Sequence, residues 1–204
     1  MTDSIYDQLN AYGTVAKQRF VENFSGDALD TDRWATELYG SGTVAMSDSV
    51  DGGVILSSAT SGDEAEIHFN DIKPFSNNAS VMIWVSKINN ILSIRGDAGF
   101  VENQSLSSSH SYVSGDTSSH PQWRLNTDDG TTPTATTIGL MDTSAHSWKL
   151  ELGASNNIVY FDGVSTVTKT TNLPDAAQQP RFFCKARSSS TRTLNVIYCE
   201  AYNT

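Results

Sequence analysis

Residues 146–168 read "HSWKLELGASNNIVYFDGVSTVT". Trp148, Leu150 and Leu152 alternate with Lys149 and Glu151, so a strand here presents an apolar face and a polar face. The run "NIVYF" follows, then Asp162-Gly163, then "VSTVT". An Asp-Gly pair between two alternating runs is a strong short-range hairpin signal, because both turn positions take positive φ. Three strands in 23 residues, each half apolar, predict an antiparallel sheet with one buried face.

The same punctuation extends in both directions. "SVMIWVSKI" (80–88) puts Val81, Ile83 and Val85 on one face and Met82 and Trp84 on the other. Being apolar on both, it reads as a central strand. "PQWRLNTDDGTTPTATT" (121–137) reads as strand, Asp-Asp-Gly turn and polar strand. "VILSSAT" and the segment after "SGD" read as a hairpin, as do "RFFCKAR" and "LNVIYCEAY" around "SSSTRT". The Ser-rich stretch 102–120 reads as a long exposed loop or weak edge hairpin, a place where binding function concentrates. The expectation is 12–14 short strands in an all-β, two-sheet antiparallel sandwich.

Residues 1–13 differ. Ile5, Leu9 and Tyr12 recur at i, i+4 and i+7, one stripe of a short helix ending at Gly13. Such a helix is marginal alone. It either covers its own sandwich or docks on another subunit, which makes Ile5, Leu9 and Tyr12 candidate oligomer contacts. The division expected is an arm over 1–22, short helix plus lead-in strand, and a sandwich over 23–204.

The 204 residues carry a net charge of −10 and a pI near 4.6. Nucleic-acid binding relies on Lys/Arg neutralising phosphate, and there is no basic cluster, so DNA and RNA are excluded as main partners. No apolar run approaches the roughly 20 residues of a membrane helix. The N-terminus lacks a basic segment followed by an apolar core, so synthesis in the cytoplasm without a secretory signal is expected. Cys184 and Cys199 face each other if the last hairpin turns near Ser190, and they are either free buried thiols or a cross-strand disulfide.

"GDEAEIHF" (62–69) concentrates titratable groups. Glu64, Glu66 and His68 share one strand face, with Ala65, Ile67 and Phe69 on the other. Alternate strand positions lie about 6.5–7 Å apart, near the separation at which two carboxyls work on a glycosidic bond. The alternatives are an active site and a polar recognition strand. Asp27, Asp30 and Asp32, like Asp128 and Asp129, read first as turn formers. No cofactor is assigned, with calcium left open at those acids.

Three stretches together resemble the concanavalin A-like lectin/glucanase superfamily, including laminin-G-like members. They are "FSGDALDTDRW" (24–34), "HSWKLEL…NIVYFDGVSTVT", and "NLPDAAQQPRFFCKAR…TLNVIYCEAY". In order and spacing they cover about residues 20–202. The resemblance implies a jelly roll of two curved sheets, in the form seen in phage and viral structural proteins. Hydrolases of the superfamily carry E-x-D-x-(x)-E on one strand, whereas here the face reads Glu64-x-Glu66-x-His68-x-Asn70.

The expectation is therefore a non-catalytic structural module of a virion. It would assemble with other virion subunits or with itself, present a capsid-decoration, fibre or tail surface, and contact surface polysaccharide. Trp84, His68, Glu66, Arg95 and Trp123 are the candidate glycan-binding residues. The alternatives are a glucanase-like glycoside hydrolase or polysaccharide lyase using Glu64 and Glu66, and a free-standing lectin.

Overall fold

The computed structural model describes residues 18–49, 52–103, 108–118 and 120–204. The candidate contacts Ile5, Leu9 and Tyr12 lie outside the described residues. Among the described residues there are strands and turns and no helix. The strands are β1 (Arg19–Glu22), β2 (Ala35–Tyr39), β3 (Thr43–Met46), β4 (Val54–Ser58), β5 (Glu64–His68), β6 (Ala79–Ile88), β7 (Ile94–Val101) and β8 (His110–Asp116). They continue as β9 (Gln122–Asp128), β10 (Thr134–Leu140), β11 (His146–Gly153), β12 (Asn157–Phe161), β13 (Val164–Lys169), β14 (Gln179–Ala186) and β15 (Arg192–Asn203).

They form two antiparallel sheets. The back sheet runs β13-β12-β11-β6-β15-β4-β3, with β1 also paired to β15. The front sheet runs β10-β9-β8-β7-β14-β5-β2. This is the expected sandwich, and β6 is central in it, between β11 and β15. The β12–β13 turn has positive φ at both Asp162 (48°) and Gly163 (79°), as an Asp-Gly hairpin requires.

Two aromatic groups fill the space between the sheets. Trp84 stacks on Trp148 at 6.0 Å, and Trp123 and Phe161 close on Trp148 at 5.3 and 4.6 Å. At the other end Trp34 packs edge-on against Phe20 and Phe69 and near Phe24 and Phe182. The turn that delivers Trp34 is built by Asp30. Its backbone carbonyl accepts from the Trp34 amide at 2.8 Å and its carboxylate from the Asp32 amide at 3.1 Å.

Three local expectations are corrected. β14 and β15 are not a hairpin, because they lie in different sheets. β14 is already paired on both edges by β7 and β5, and β15 by β6 and by β4 and β1. Cys184 and Cys199 are accordingly free, buried thiols in opposite layers. Burial pushes the Cys184 thiol up to about 12. The link from β4 to β5 likewise crosses between sheets. Finally, His110–Asp116 is no loop but β8, an interior strand of the front sheet, buried over nearly its whole length.

Candidate functional site on the outer face of the front sheet

Each front strand turns its apolar positions inward: Ala65 and Ile67 of β5, Phe182 and Cys184 of β14, Ala98 and Phe100 of β7. The alternate positions make the outer face. Pairing lines them up across the strands. Glu37 of β2 faces Glu66 of β5, which faces Phe183 of β14, then Asp97 of β7, Ser114 of β8, Arg124 of β9 and Thr137 of β10. A parallel row runs Ala35, His68, Arg181, Gly99, Tyr112, Asn126, Ala135.

This face is polar and yet largely removed from solvent. Glu66 is 4% exposed, Asp97 2%, Arg181 4% and His68 2%. Arg181 Nη2 donates to Glu66 Oε2 at 2.5 Å. Arg95 donates from Nε to Asp97 Oδ2 at 2.9 Å, and Ser114 donates to Asp97 Oδ1 at 2.6 Å. The Arg181 and Arg95 guanidiniums lie 4.8 and 5.3 Å from the centre of the Phe183 ring. Gly99 lets β7 approach β8, since a Cβ there would come within 2.5 Å of the Tyr112 Cα.

The β2 edge of the face opens into a pocket of about 230 Å³ lined by Glu37, Leu38, Tyr39, Glu64, Glu66 and Phe183. Burial pushes the Glu66 carboxyl above the ordinary glutamate range, partly offset by the hydrogen bond and charge of Arg181. Its second oxygen, Oε1, is buried and accepts nothing. The Glu37 side chain is about half exposed. Glu64 Oε1 accepts from Lys185 Nζ at 2.5 Å. Buried polar groups in folded proteins are nearly always hydrogen-bonded, so the unbonded carboxyl oxygen of a buried, raised-pKa glutamate singles out this pocket as the candidate site.

Of the residues singled out from sequence, Glu64, Glu66, His68 and Arg95 do share this face. His68 has Glu37 at 3.9 Å and Asp71 at 3.7 Å. Trp84 and Trp123 do not: both point into the core, 1% and 6% exposed. Sequence reasoning missed Glu37 and Arg181. Glu37 becomes significant only through its facing of Glu66, a pairing between segments 29 residues apart. Among the described residues no group of three or more His, Cys, Asp or Glu is arranged to hold a metal ion. Asp128 and Asp129 accept instead from the amides of their own turn.

The fold is an all-β sandwich of two antiparallel sheets, a jelly roll. No known family profile and no curated protein matches the sequence. Solved structures do. The chain is similar to a Bacillus licheniformis β-glucanase (TM-score 0.66, 13% identity, 91% of this chain and 98% of that one). It is similar to the apo Crh5 transglycosylase (0.68, 13%, 91% and 84%). It is also similar to a structure described under endo-acting O-glycanases that human gut microbiota express to initiate mucin breakdown (0.70, 11%, 91% and 98%).

At these identities the likeness establishes the fold. The expectation of a non-catalytic virion component is corrected by what these three structures are, a β-glucanase, a transglycosylase and one described under O-glycanases. The phage and viral form of the resemblance finds no counterpart among them, and the enzyme alternative built on Glu64 and Glu66 fits these neighbours better.

Proposed function

We propose that this protein is a glucanase-like carbohydrate-active enzyme that cleaves or transfers β-linked polysaccharide laid across the front sheet, with its acids in the Glu37–Glu64–Glu66 pocket. The carrying observation is the facing of Glu66, buried and raised in pKa, by Glu37, which is open to solvent. Directly opposed residues of an antiparallel pair have Cβ atoms about 4.5–5.5 Å apart, from which two glutamate carboxyls can reach the spacing of about 5–5.5 Å used by retaining glycosidases.

The roles follow from environment. Glu66 holds its proton toward neutral pH and delivers it to the leaving glycosidic oxygen. Glu37 attacks the anomeric carbon and forms a glycosyl ester. Glu66, now ionised, takes a proton from water or from an acceptor sugar hydroxyl, whose oxygen releases the ester. Water gives hydrolysis and a sugar gives transfer. Tyr39, exposed at the pocket rim, supplies a ring face for a pyranose. The pocket departs from the superfamily's hydrolases in drawing its pair from two strands rather than one.

The test is reducing-end release and product-length analysis on a panel of β-glucans and β-galactans. Glu66→Gln and Glu37→Gln are each expected to cut turnover at least about 100-fold, with circular dichroism still that of a folded β protein. A folded protein with no turnover across the panel, or a Glu66→Gln variant of full activity, overturns the reading.

A further inference from the structure

We infer that the substrate carries an anionic substituent, a carboxylate or a sulfate, and that Arg124 receives it across the outer face from the pocket. This rests on the proposed function for where the sugar chain lies, and on separate observations for what it carries. Arg95, Arg181, Lys185 and Arg187 on or beside this face are each bonded to an acid: Asp97, Glu66, Glu64 and Asp116. Arg124 has no ion pair and no side-chain hydrogen bond among the described residues, although its Nε is buried. A guanidinium is a rigid fork of donors suited to carboxylate or sulfate geometry, and here the fork is set with nothing to receive it.

Its surroundings favour an anion. Ser114 and Thr137 flank it in the row and Asn126 lies two residues along the same strand face; their donors go to Asp97, Gln122 and the Arg124 carbonyl, and none of the three brings a negative charge to the guanidinium. The nearest acid in the row, Asp97, is already compensated by Arg95 and Ser114. Arg124 also lies in register with the pocket, four strand spacings from Glu66, through Phe183, Asp97 and Ser114. At about 4.8 Å per spacing that is roughly 19 Å along the sheet, the length of a short oligosaccharide. A chain cleaved beside Glu66 thus brings a substituent several sugars away under Arg124. Because the whole protein carries −10, long-range attraction does not explain such binding, and selectivity must come from this contact.

The experiment is calorimetric or fluorescence titration of the Glu66→Gln protein with three sets of oligosaccharides of equal length: neutral β-glucan, uronate-bearing and sulfated. At least one acidic set is expected to bind about tenfold more tightly than the neutral set, and the two acidic arms separate carboxylate from sulfate. Arg124→Gln removes that advantage and leaves neutral binding unchanged. Arg124→Lys restores it in part, keeping the charge and losing the fork. Neutral oligomers binding as tightly as both acidic sets, or Arg124→Gln weakening all three alike, overturns the inference. Binding preference is read without turnover, so it stands or falls apart from the catalytic roles of Glu37 and Glu66. Turnover of neutral glucan with no acidic preference keeps the enzyme and removes Arg124 from recognition.

Discussion

The two outer faces of the sandwich both carry ion pairs, and they are unlike. On the back sheet Arg19, its side chain 63% exposed, donates to the 12% exposed Glu200 at 2.9 Å, so one partner of the pair stands in water, and Tyr198 donates to Glu200 at 2.7 Å. On the front sheet Glu66 and Arg181 are almost fully covered, with Glu66 Oε1 and Arg181 Nε and Nη1 unbonded. Exposed pairs exchange water for one another at little gain. Buried pairs cost desolvation that their attraction only partly repays. A protein under pressure for stability alone has little reason to bury such groups with bonds unfilled. The contrast supports the proposed placement of function on the front sheet.

Breaking the buried pair gives the largest expected effect. Arg181→Met takes away the partner of the buried Glu66 carboxyl, pushes its pKa up further, and is expected to cost about 3 kcal/mol by urea denaturation at neutral pH. Glu66→Leu added to Arg181→Met recovers most of that loss, because an apolar pair has no charge to desolvate. If the single change costs no more than an exposed pair does, the contrast between the faces fails.

A pH series sharpens the comparison at the turn leading into β5. Asp63 accepts from Ser41 and from Thr60, whose side-chain and backbone donors both reach it, and these bonds hold its pKa at about 2. Folding therefore favours the ionised form. That stability is fully present above the ordinary value of 3.8 and is lost as pH falls toward 2. Asp63→Asn is expected to lower the urea midpoint at neutral pH and to flatten its decline between pH 4 and 2. Glu66 acts in the opposite sense. Its raised pKa means that folding favours the protonated form, so its contribution is best below 4.5 and declines as pH rises. The smallest effect belongs to the back sheet, where Glu200→Gln is expected to cost under about 1 kcal/mol, read from the same denaturation curves.

How much was legible depended on whether a strand's two faces differ in chemistry. β11 and β5 were readable because apolar and charged residues alternate cleanly. β8 was not, because its inward positions are Ser111, Val113 and Gly115. Gly115 is small because a Cβ there would strike Met141 and Trp123, which fill the space from neighbouring segments. The period-2 signal of β8 therefore sits in side chains elsewhere. Trp84 was misplaced for a related reason. β6 is apolar on both faces, so alternation cannot say which side meets the other sheet.

By itself the sequence determined the class of fold and the sidedness of its clearest strands. Turn residues and two-residue periodicity are local, and each needs only its near neighbours to act. Only the tertiary structure decided that Cys184 and Cys199 lie in separate layers, that Glu37 faces Glu66, and that Arg124 lies on one line with both. Those relations join strands far apart in the chain through backbone pairing, and pairing register is set by which faces the whole sandwich must bury.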